Sequence, residues 1–549
     1  MLLAGCAKQG YPPGGPEDVT GPRIVASHPQ SESVQVPTDV RPWIRLNEYP
    51  ARSSVEDAIF ISPEPDEGFE IKIRGKRIQV RFKEELPENS TVVVTFGSGI
   101  QDIHGNQMPE SFVMAFSTGD KIDKSGISGY LKGMKNPAST WIWAYPLESA
   151  EEPDPREDKA PYATQPDPEG KFRLAFLPTA EYRIFAVEDS RKNRIWDSDR
   201  EAIAFPPWDV LSAELDVPEI NLMMATYDLQ PPNLRGAQAL HRQAVRFSFD
   251  EPVKTTDLEI EATNQDGRRL DIVDAYQNLA DSTTLFLTTA IQREGDVYSI
   301  RLDGLSDYSD NRADSIIAEV EASNSMDTTG ARFAWSEPSD GQTSVDLESS
   351  VSVGFNEAIT LIDLPKAVTL LDPDSAAVPG KWNYPGSSWG VFVPAEAFAS
   401  NATYLVRIVG DSLRDIFGNT SPDSLVRLSF TTVDLEELGS IQGRVEESSS
   451  DLRVVAERLE REEQWEVAVQ DDGSYRFERL PASNYRLWLY RDIDGNGKLS
   501  PGKITPFRFA EPFTVSEDTI RVRARWETEG KKIHWNQSPA FPKREEAEP

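Results

Sequence analysis

The segment Asp102-Ile103-His104-Gly105-Asn106 recurs later in the chain as Asp415-Ile416-Phe417-Gly418-Asn419. Upstream of each copy, an alternating apolar run ends in the same dipeptide, at Asn47-Glu48 and at Asn356-Glu357. Apolar residues at every second position are typical of a strand with one buried face. Repetition of whole strand-and-turn units predicts an array of β modules rather than one large catalytic domain.

The repeat predicts three β-sandwiches, at residues 21–119, 226–324 and 325–433. The middle copy is divergent, because its turn at Asp307…Asn311 lacks the glycine of the other two copies. Short strands separated by turn residues at regular intervals are the pattern that a Greek-key sandwich requires.

A second pattern pairs Leu-Pro with a following Tyr-Arg, at Leu177…Arg183 and again at Leu480…Arg486. It predicts two smaller β modules, at residues 120–225 and 434–530. The predicted fold class is therefore all-β, a tandem array of five modules in an extended row. A flexible tether at 1–20 precedes the array, and a polar tail at 531–549 follows it.

Both patterns have known relatives. The Asp-Ile-x-Gly-Asn turn and the Asn-Glu strand end resemble the bacterial Ig-like domains first defined in an S-layer protein. The Leu-Pro-x-x-x-Tyr-Arg pattern resembles transthyretin-like, carboxypeptidase-regulatory-type β modules. These resemblances imply a fold and a cell-envelope location. They imply no activity, because such domains are scaffolds that serve many functions.

Charge and cysteine content exclude several classes of function. The formal net charge is −34, which argues against nucleic acid as a partner, since proteins bind its phosphates through clusters of Lys and Arg. Cys6 is the one cysteine of the sequence, so neither a disulfide framework nor a zinc site built on thiolates is available.

Cys6 ends the segment Leu2–Cys6, which resembles the lipobox of bacterial lipoproteins and implies a lipid on the cysteine sulfur. The segment before it is too short for a complete signal peptide, so we expect the true signal to start upstream. Gly14–Thr20 (Gly-Gly-Pro-Glu-Asp-Val-Thr) then resembles the N-terminal region of Bacteroidota lipoproteins. We expect a membrane attachment through Cys6, and Ala7 after it favours the outer membrane.

One loop has the pattern of a Ca²⁺ site. Oxygen-bearing side chains alternate along Asp492, Asp494 and Asn496, with a glycine, Gly497, at the sixth position of the loop. This matches the first half of an EF-hand-type loop, to which the carbonyl of Lys498 and the side chain of Ser500 could contribute. The twelfth position is Lys503 rather than glutamate. A plain Asp/Gly/Asn turn therefore stays an alternative, and no other cofactor is indicated.

Signals for catalysis are weak. The strand-end glutamates Glu48, Glu251 and Glu357 suggest a carboxylate pair, but they belong to different modules. The histidines, at 28, 104, 241 and 534, lie in no motif of nucleophilic or metal catalysis. We therefore predict a non-enzyme, with a hydrolase as the least favoured option.

Aromatic residues are the remaining functional signal. They could form platforms for sugars, although tryptophan in a strand is more often part of the core. The candidates are Trp141, Trp143, Trp382, Trp389, Trp488 and Tyr490. The sequence thus favours a lipid-anchored envelope scaffold that binds an envelope protein or a glycan. The alternative is an accessory glycan-binding component of a polysaccharide-uptake system.

Overall fold

The computed structural model describes residues 18–535, except 66, 149–151, 216, 279, 447, 448, 450 and 531. It is a tandem array of β-sandwiches with 48% strand and 4% helix, which confirms the predicted fold class. None of its described helices is long and apolar enough to cross a membrane. They are Arg52–Ser54, Glu56–Ala58, Leu361–Asp363, Leu364–Ala367, Gly410–Ser412 and Leu435–Glu437.

Module 1 packs the sheet β1-β2-β5-β4 against the sheet β3-β6-β7. The hairpin of β4 and β5 sets Ile71 opposite Val80 and turns at Gly75, whose φ of +61° suits glycine. The strands are β1 (Ile24–His28), β2 (Trp43–Leu46), β3 (Ile59–Ser62), β4 (Phe69–Arg74), β5 (Arg77–Phe82), β6 (Thr91–Phe96) and β7 (Phe112–Ser117).

Module 2 has one sheet in the order β10-β9-β12-β13, with β14 also on β12, and a second in the order β11-β8-β15. The strands are β8 (Ser125–Lys132), β9 (Thr140–Pro146), β10 (Tyr162–Thr164), β11 (Lys171–Leu177), β12 (Glu181–Glu188), β13 (Ile203–Ala204), β14 (Val210–Leu211) and β15 (Glu219–Met223).

Module 3 has the sheets β16-β17-β21-β20 and β19-β22-β24 and a short pair β18-β23. The strands are β16 (Leu234–His241), β17 (Ala244–Phe249), β18 (Val253–Lys254), β19 (Glu259–Asn264), β20 (Ile272–Asn278), β21 (Asp281–Thr289), β22 (Val297–Asp303), β23 (Ser306–Asp307) and β24 (Ile316–Glu321).

Module 4 has the sheets β25-β27-β30-β29 and β26-β32-β31-β28. Val351, Val353 and Phe355 alternate along β27 and fill its core. The strands are β25 (Phe333–Glu337), β26 (Gln342–Val345), β27 (Val351–Phe355), β28 (Val368–Leu371), β29 (Gly380–Gly386), β30 (Trp389–Pro394), β31 (Thr403–Ile408) and β32 (Val426–Thr432).

Module 5 has the sheets β36-β33-β41, with β42 also on β33, and β35-β34-β37-β40, together with the hairpin β38-β39. Its strands are β33 (Leu438–Glu446), β34 (Leu452–Arg458), β35 (Gln464–Ala468), β36 (Ser474–Pro481), β37 (Asn484–Arg491), β38 (Lys503–Ile504), β39 (Phe507–Arg508), β40 (Phe513–Arg521), β41 (Glu527–Glu529) and β42 (Ile533–His534). Ile533 and Trp535 join its core, so the module extends past the predicted boundary at 530.

The repeated turns have the same hydrogen bonds in modules 1, 3 and 4. In module 4, Oδ1 of Asp415 accepts from the backbone N–H groups of Phe417 and Asn419, both at 2.8 Å. Gly418 has a φ of +92°. In the divergent module 3, Asp310 takes the glycine position with a φ of +64°. Oδ1 of Asp307 accepts the same two bonds, from the N–H groups of Ser309 and Asn311, both at 2.8 Å, so the turn keeps its form without the glycine.

The Leu-Pro-x-x-x-Tyr pattern also has a structural cause. The hydroxyl of Tyr182 donates to the carbonyl of Pro178 at 3.1 Å, and Tyr485 donates to Pro481 at 2.8 Å. Each tyrosine is buried in its own sandwich core. The bond therefore fixes the path of the chain between two strands and explains why both modules carry the motif.

The prediction of an extended row is wrong, because module 5 folds back onto module 2. Phe205 and Trp196 of module 2 form one buried cluster with Ile504 of module 5, and Phe507 packs against it. The hydroxyl of Tyr227 donates to the carbonyl of Pro501 at 2.7 Å. The sequence repeat defines modules but contains no information about contacts between distant ones.

Glycine permits the close approach at this interface. Gly502 has a φ of +87°, and a Cβ atom placed on it would lie 2.6 Å from Cβ of Phe205. Beside it, the N–H of Ala510 donates to the carbonyl of Pro206 at 2.9 Å. The module 2–module 5 interface therefore combines buried aromatic rings with paired backbone groups.

Candidate functional site

The predicted Ca²⁺ loop connects β37 to β38, at the edge of the module 2–module 5 interface. Asp494 accepts hydrogen bonds from the hydroxyl of Ser500 at 2.7 Å and from the side-chain amide of Asn496 at 2.9 Å. The bond from Ser500 holds the pKa of Asp494 below its usual range. Asn496 in turn accepts from the N–H of Lys498 at 2.7 Å. The structure therefore brings the side chains of Asp494, Asn496 and Ser500 together.

Asp492 lies on the inner side of the loop. Its Oδ2 accepts from the N–H of Gly497 at 2.9 Å. Its Oδ1 is buried and has no hydrogen-bond partner. Ligand oxygens of Asp492, Asp494 and Glu511 lie within 4.8 Å of one another.

Glu511 is the residue that sequence reasoning missed. It is 5% exposed and accepts from the N–H groups of Ile493 at 2.5 Å and Ser500 at 2.9 Å. Burial raises the pKa of this carboxyl above its usual value. Glu511 supplies the acidic group that the loop itself lacks, because the twelfth position of the loop is Lys503. It comes from the segment before β40, so no fixed spacing within the loop could reveal it.

The equivalent loop of module 2 is closed in the same way by a buried glutamate. Glu201 accepts from the N–H groups of Arg191 and Asp197, both at 3.0 Å. Here Arg191 forms an ion pair with Asp197 at 3.1 Å. The loop of module 2 therefore carries a positively charged side chain, whereas the loop of module 5 has Asp494 at the position of Arg191.

The strand-end glutamates do not form a carboxylate pair for hydrolysis, since each lies in a different module. Glu251 and Glu357 each lie instead beside the aspartate of the turn in their own module, Asp307 and Asp415. His104 lies on the turn of module 1, 3.8 Å from Asp102. Its counterpart Phe417 packs edge-on against His241 of module 3, with ring centroids 4.9 Å apart.

Most of the predicted sugar platforms are buried. Trp141 and Trp143 are 7% and 1% exposed, and Trp488 and Tyr490 are 4% and 0% exposed. All four lie where modules 2 and 5 pack on other modules, so the platform prediction is wrong for them. Trp382 packs against the core of module 4.

Trp389 has a different environment. It is half-buried on the outer face of its sheet, and its ring lies 5.7 Å from that of Trp335. Gly354 on the strand between them pairs with Trp335 of β25 on one side and with Trp389 of β30 on the other. A Cβ atom on Gly354 would lie 1.9 Å from Nε1 of Trp335. The missing side chain lets that indole lie flat on the sheet. Trp335 was not among the predicted platform residues.

Solved structures similar to the chain have low TM-scores. The L,D-transpeptidase LdtMt1 in complex with imipenem is 15% identical over 21% of this chain and 44% of its own, with a TM-score of 0.15. The L,D-transpeptidase from Mycobacterium smegmatis is 15% identical over 26% and 74%, with a TM-score of 0.15. Surface layer protein SbsC, domains 1–6, is 10% identical over 91% and 67%, with a TM-score of 0.17. The chain spans less than half the length of the first, and TM-scores this low support no inference.

Sequence comparison is more specific. No curated protein matches the chain. Residues 18–118 and 327–432, however, match the family described as bacterial Ig-like domain. These two segments contain both copies of the Asp-Ile-x-Gly-Asn turn. Modules 1 and 4 therefore each match the bacterial Ig-like domain family over nearly their whole length.

Proposed function

We propose that the protein is a non-catalytic cell-envelope scaffold that binds another envelope protein or a glycan. The observation that supports this most is the buried interface of modules 2 and 5, at which Trp196 and Phe205 are each 1% exposed. An interface of this kind holds modules 2 and 5 in a fixed arrangement, and the chain between them carries the Ig-like modules 3 and 4. Loops and strand edges of a rigid array can then present binding surfaces at defined distances.

Attachment to the membrane forms part of the proposal. Cys6 lies outside the described residues, so the support for a lipid on its sulfur is the lipobox-like sequence of Leu2–Cys6. Ala7 and the likeness to Bacteroidota lipoproteins favour the outer membrane. The net charge of −34 agrees with a protein or glycan partner rather than nucleic acid.

Replacing Cys6 with serine tests the anchor. We expect the native protein in the membrane fraction with a lipid on the Cys6 fragment, and C6S in the soluble fraction, because the sulfur is the acceptor of the lipid. Mass spectrometry and fractionation of the native cells give both readouts. Protease treatment of intact cells, with a tag after Pro549, then separates surface display from a periplasmic location. Membrane association of C6S equal to that of the native protein would contradict the anchor.

The loop of module 5 is a Ca²⁺ site in this proposal. Asp492, Asp494, Asn496 and Ser500 are its side-chain ligands, and the carbonyl of Lys498 is a further one. The buried Glu511 completes the acidic set. Its support is the unpartnered Oδ1 of Asp492 and the contrast with the arginine-containing loop of module 2. The ion would stabilise the edge of the interface.

An accessory glycan-binding component of a polysaccharide-uptake system is the second candidate. The outward-facing pair of Trp335 and Trp389 favours it, because an indole has a large apolar face with a polar N–H at its edge. In this alternative the two rings form the sugar platform, and the buried tryptophans have no part in it.

Trp389→Ala separates the two candidates. If module 4 binds a glycan, W389A is expected to weaken binding of soluble envelope polysaccharides at least about tenfold, or ~1.4 kcal/mol, in isothermal calorimetry. Trp526→Ala is the matched control, since Trp526 is 64% exposed and lies in module 5. Capture of one envelope protein by both variants, with no glycan response in either, would leave the protein-binding scaffold as the function.

A further inference from the structure

Three acidic side chains meet where the linker from module 3 enters module 4. Asp327 comes from the linker, Glu357 from the end of β27, and Asp415 from the repeated turn. One ligand oxygen of each lies within 4.8 Å of the others. Asp415 is 1% exposed, and the side chain of Asp327 is 10% exposed. Like charges this close and this buried repel one another strongly.

One oxygen of this cluster has no partner. Oδ1 of Asp327 accepts from the N–H of Thr329 at 3.2 Å, whereas its Oδ2 is buried without a hydrogen bond. Nε2 of His241 is 3.8 Å away, which is too far for a hydrogen bond.

Sister clusters occur at the same place in the other two Ig-like modules. In module 1, His104 lies 3.8 Å from both Asp18 and Asp102. In module 3, burial and a hydrogen bond with Asp228 raise the pKa of Glu251 to about 7. The cluster of module 4 resembles both, since His241 lies 3.8 Å from Asp327 and burial raises the pKa of Glu357 to about 8. It differs from them in the buried Oδ2 of Asp327, which has no hydrogen-bond partner.

We propose that the carboxylates of Asp327, Glu357 and Asp415 bind one Ca²⁺ ion. Ca²⁺ prefers oxygen ligands at 2.3–2.6 Å, so ligands on opposite sides of the ion lie about 5 Å apart. One oxygen of each carboxylate lies within 4.8 Å of the others, which is close enough for a single ion of this size to contact all three.

The bound ion would fix the orientation of modules 3 and 4. It ties the linker residue Asp327 to two positions of module 4, one of which, Glu357, is next in sequence to a contact with module 3. There the N–H of Ala358 donates to the hydroxyl of Tyr276, and the hydroxyl of Ser388 donates to the carbonyl of Gln277 at 3.4 Å. Loss of the ion would leave the repelling carboxylates at this junction. This inference does not depend on the membrane anchor or on the ligand of the scaffold.

Calorimetric titration of the full chain with Ca²⁺ tests the site. The protein carries Asp494→Asn, so that the loop of module 5 does not contribute. We expect one bound Ca²⁺ with a dissociation constant of about 10⁻⁴–10⁻³ M. Glu357→Gln should weaken it at least about tenfold, because it removes one of the three carboxyl ligands. Glu396→Gln, an exposed carboxyl of the same module, is the charge-matched control and should bind as the parent does.

A second measurement locates the effect. Ca²⁺ should slow tryptic cleavage after Arg332, whose side chain is 59% exposed, in the parent and in E396Q but not in E357Q. Without Ca²⁺, E357Q should melt at the same temperature as the parent or above it, since the substitution relieves repulsion. Equal Ca²⁺ affinity in E357Q and E396Q would overturn the proposal. So would the absence of any bound Ca²⁺ in the parent at millimolar concentration.

Discussion

Phe205→Ala is expected to lower the free energy of unfolding of modules 2 and 5 by about 3–5 kcal/mol, the range for deleting a buried phenylalanine ring. The ring is 1% exposed and lies 5.2 Å from Tyr227, 5.6 Å from Phe185 and 6.3 Å from Phe507 of module 5. The substitution removes contacts within module 2 and across the interface at once. Urea denaturation followed by tryptophan fluorescence measures it, since Trp196 lies 6.1 Å away.

Two further variants make this result specific. Phe205→Leu keeps most of the apolar volume and should cost clearly less. Trp526→Ala removes a larger ring that is 64% exposed, and it should change stability by no more than about 0.5 kcal/mol. If F205A and W526A had the same urea midpoint, the buried aromatic interface would not contribute to stability.

The sequence predicted what is local. The positions of strands and turns follow from alternation and from the hydrogen-bonding residues of each turn, which need no information about the rest of the chain. The carboxylate of Asp415 organises its turn by bonds within four residues. The same local chemistry, repeated at Asp102 and Asp307, explains why the repeat identified the modules.

The prediction missed the contacts between modules because it took the alternation of apolar and polar residues to mean that one face of each strand lies in solvent. In β9, Ile142 and Ala144 face the core of module 2, while Trp141 and Trp143 face the module interfaces. Both faces are therefore buried. An uninterrupted apolar run such as Trp141–Tyr145 is the pattern of a strand covered on both sides, and it could have indicated the interface.

The candidate cation sites show the same limit. Asp492 and Asp494 could be found by their spacing, since the loop itself brings them together. Glu511 could not, because the hairpin β38-β39 lies between it and the loop. Asp327, Glu357 and Asp415 are likewise distant in sequence, and the fold of module 4 with its linker brings them to one point. Pairwise spacing can reveal a ligand set only when a single turn contains it.

Asp209→Asn is expected to destabilise the protein by about 3–5 kcal/mol, the usual effect of removing one partner of a buried ion pair. Arg183 and Asp209 form a bidentate pair with both distances at 2.8 Å, and their side chains are 9% and 16% exposed. The guanidinium of Arg183 also lies 4.2 Å from the ring centroid of Phe507 in module 5. With asparagine at 209, this charge stays buried at the module 2–module 5 interface without its counter-ion.

Charge burial, rather than the loss of an attraction, is the cause of this effect. The double variant R183M/D209L removes both charges and should therefore be more stable than D209N alone. Asp257→Asn breaks the ion pair with Arg312. The side chains of Arg312 and Asp257 are 72% and 68% exposed, so the substitution should lower the free energy of unfolding by at most about 0.5 kcal/mol. Chemical denaturation of the four proteins measures the differences. A D209N midpoint equal to that of D257N would mean that solvent reaches Arg183, and that the interface is open in solution.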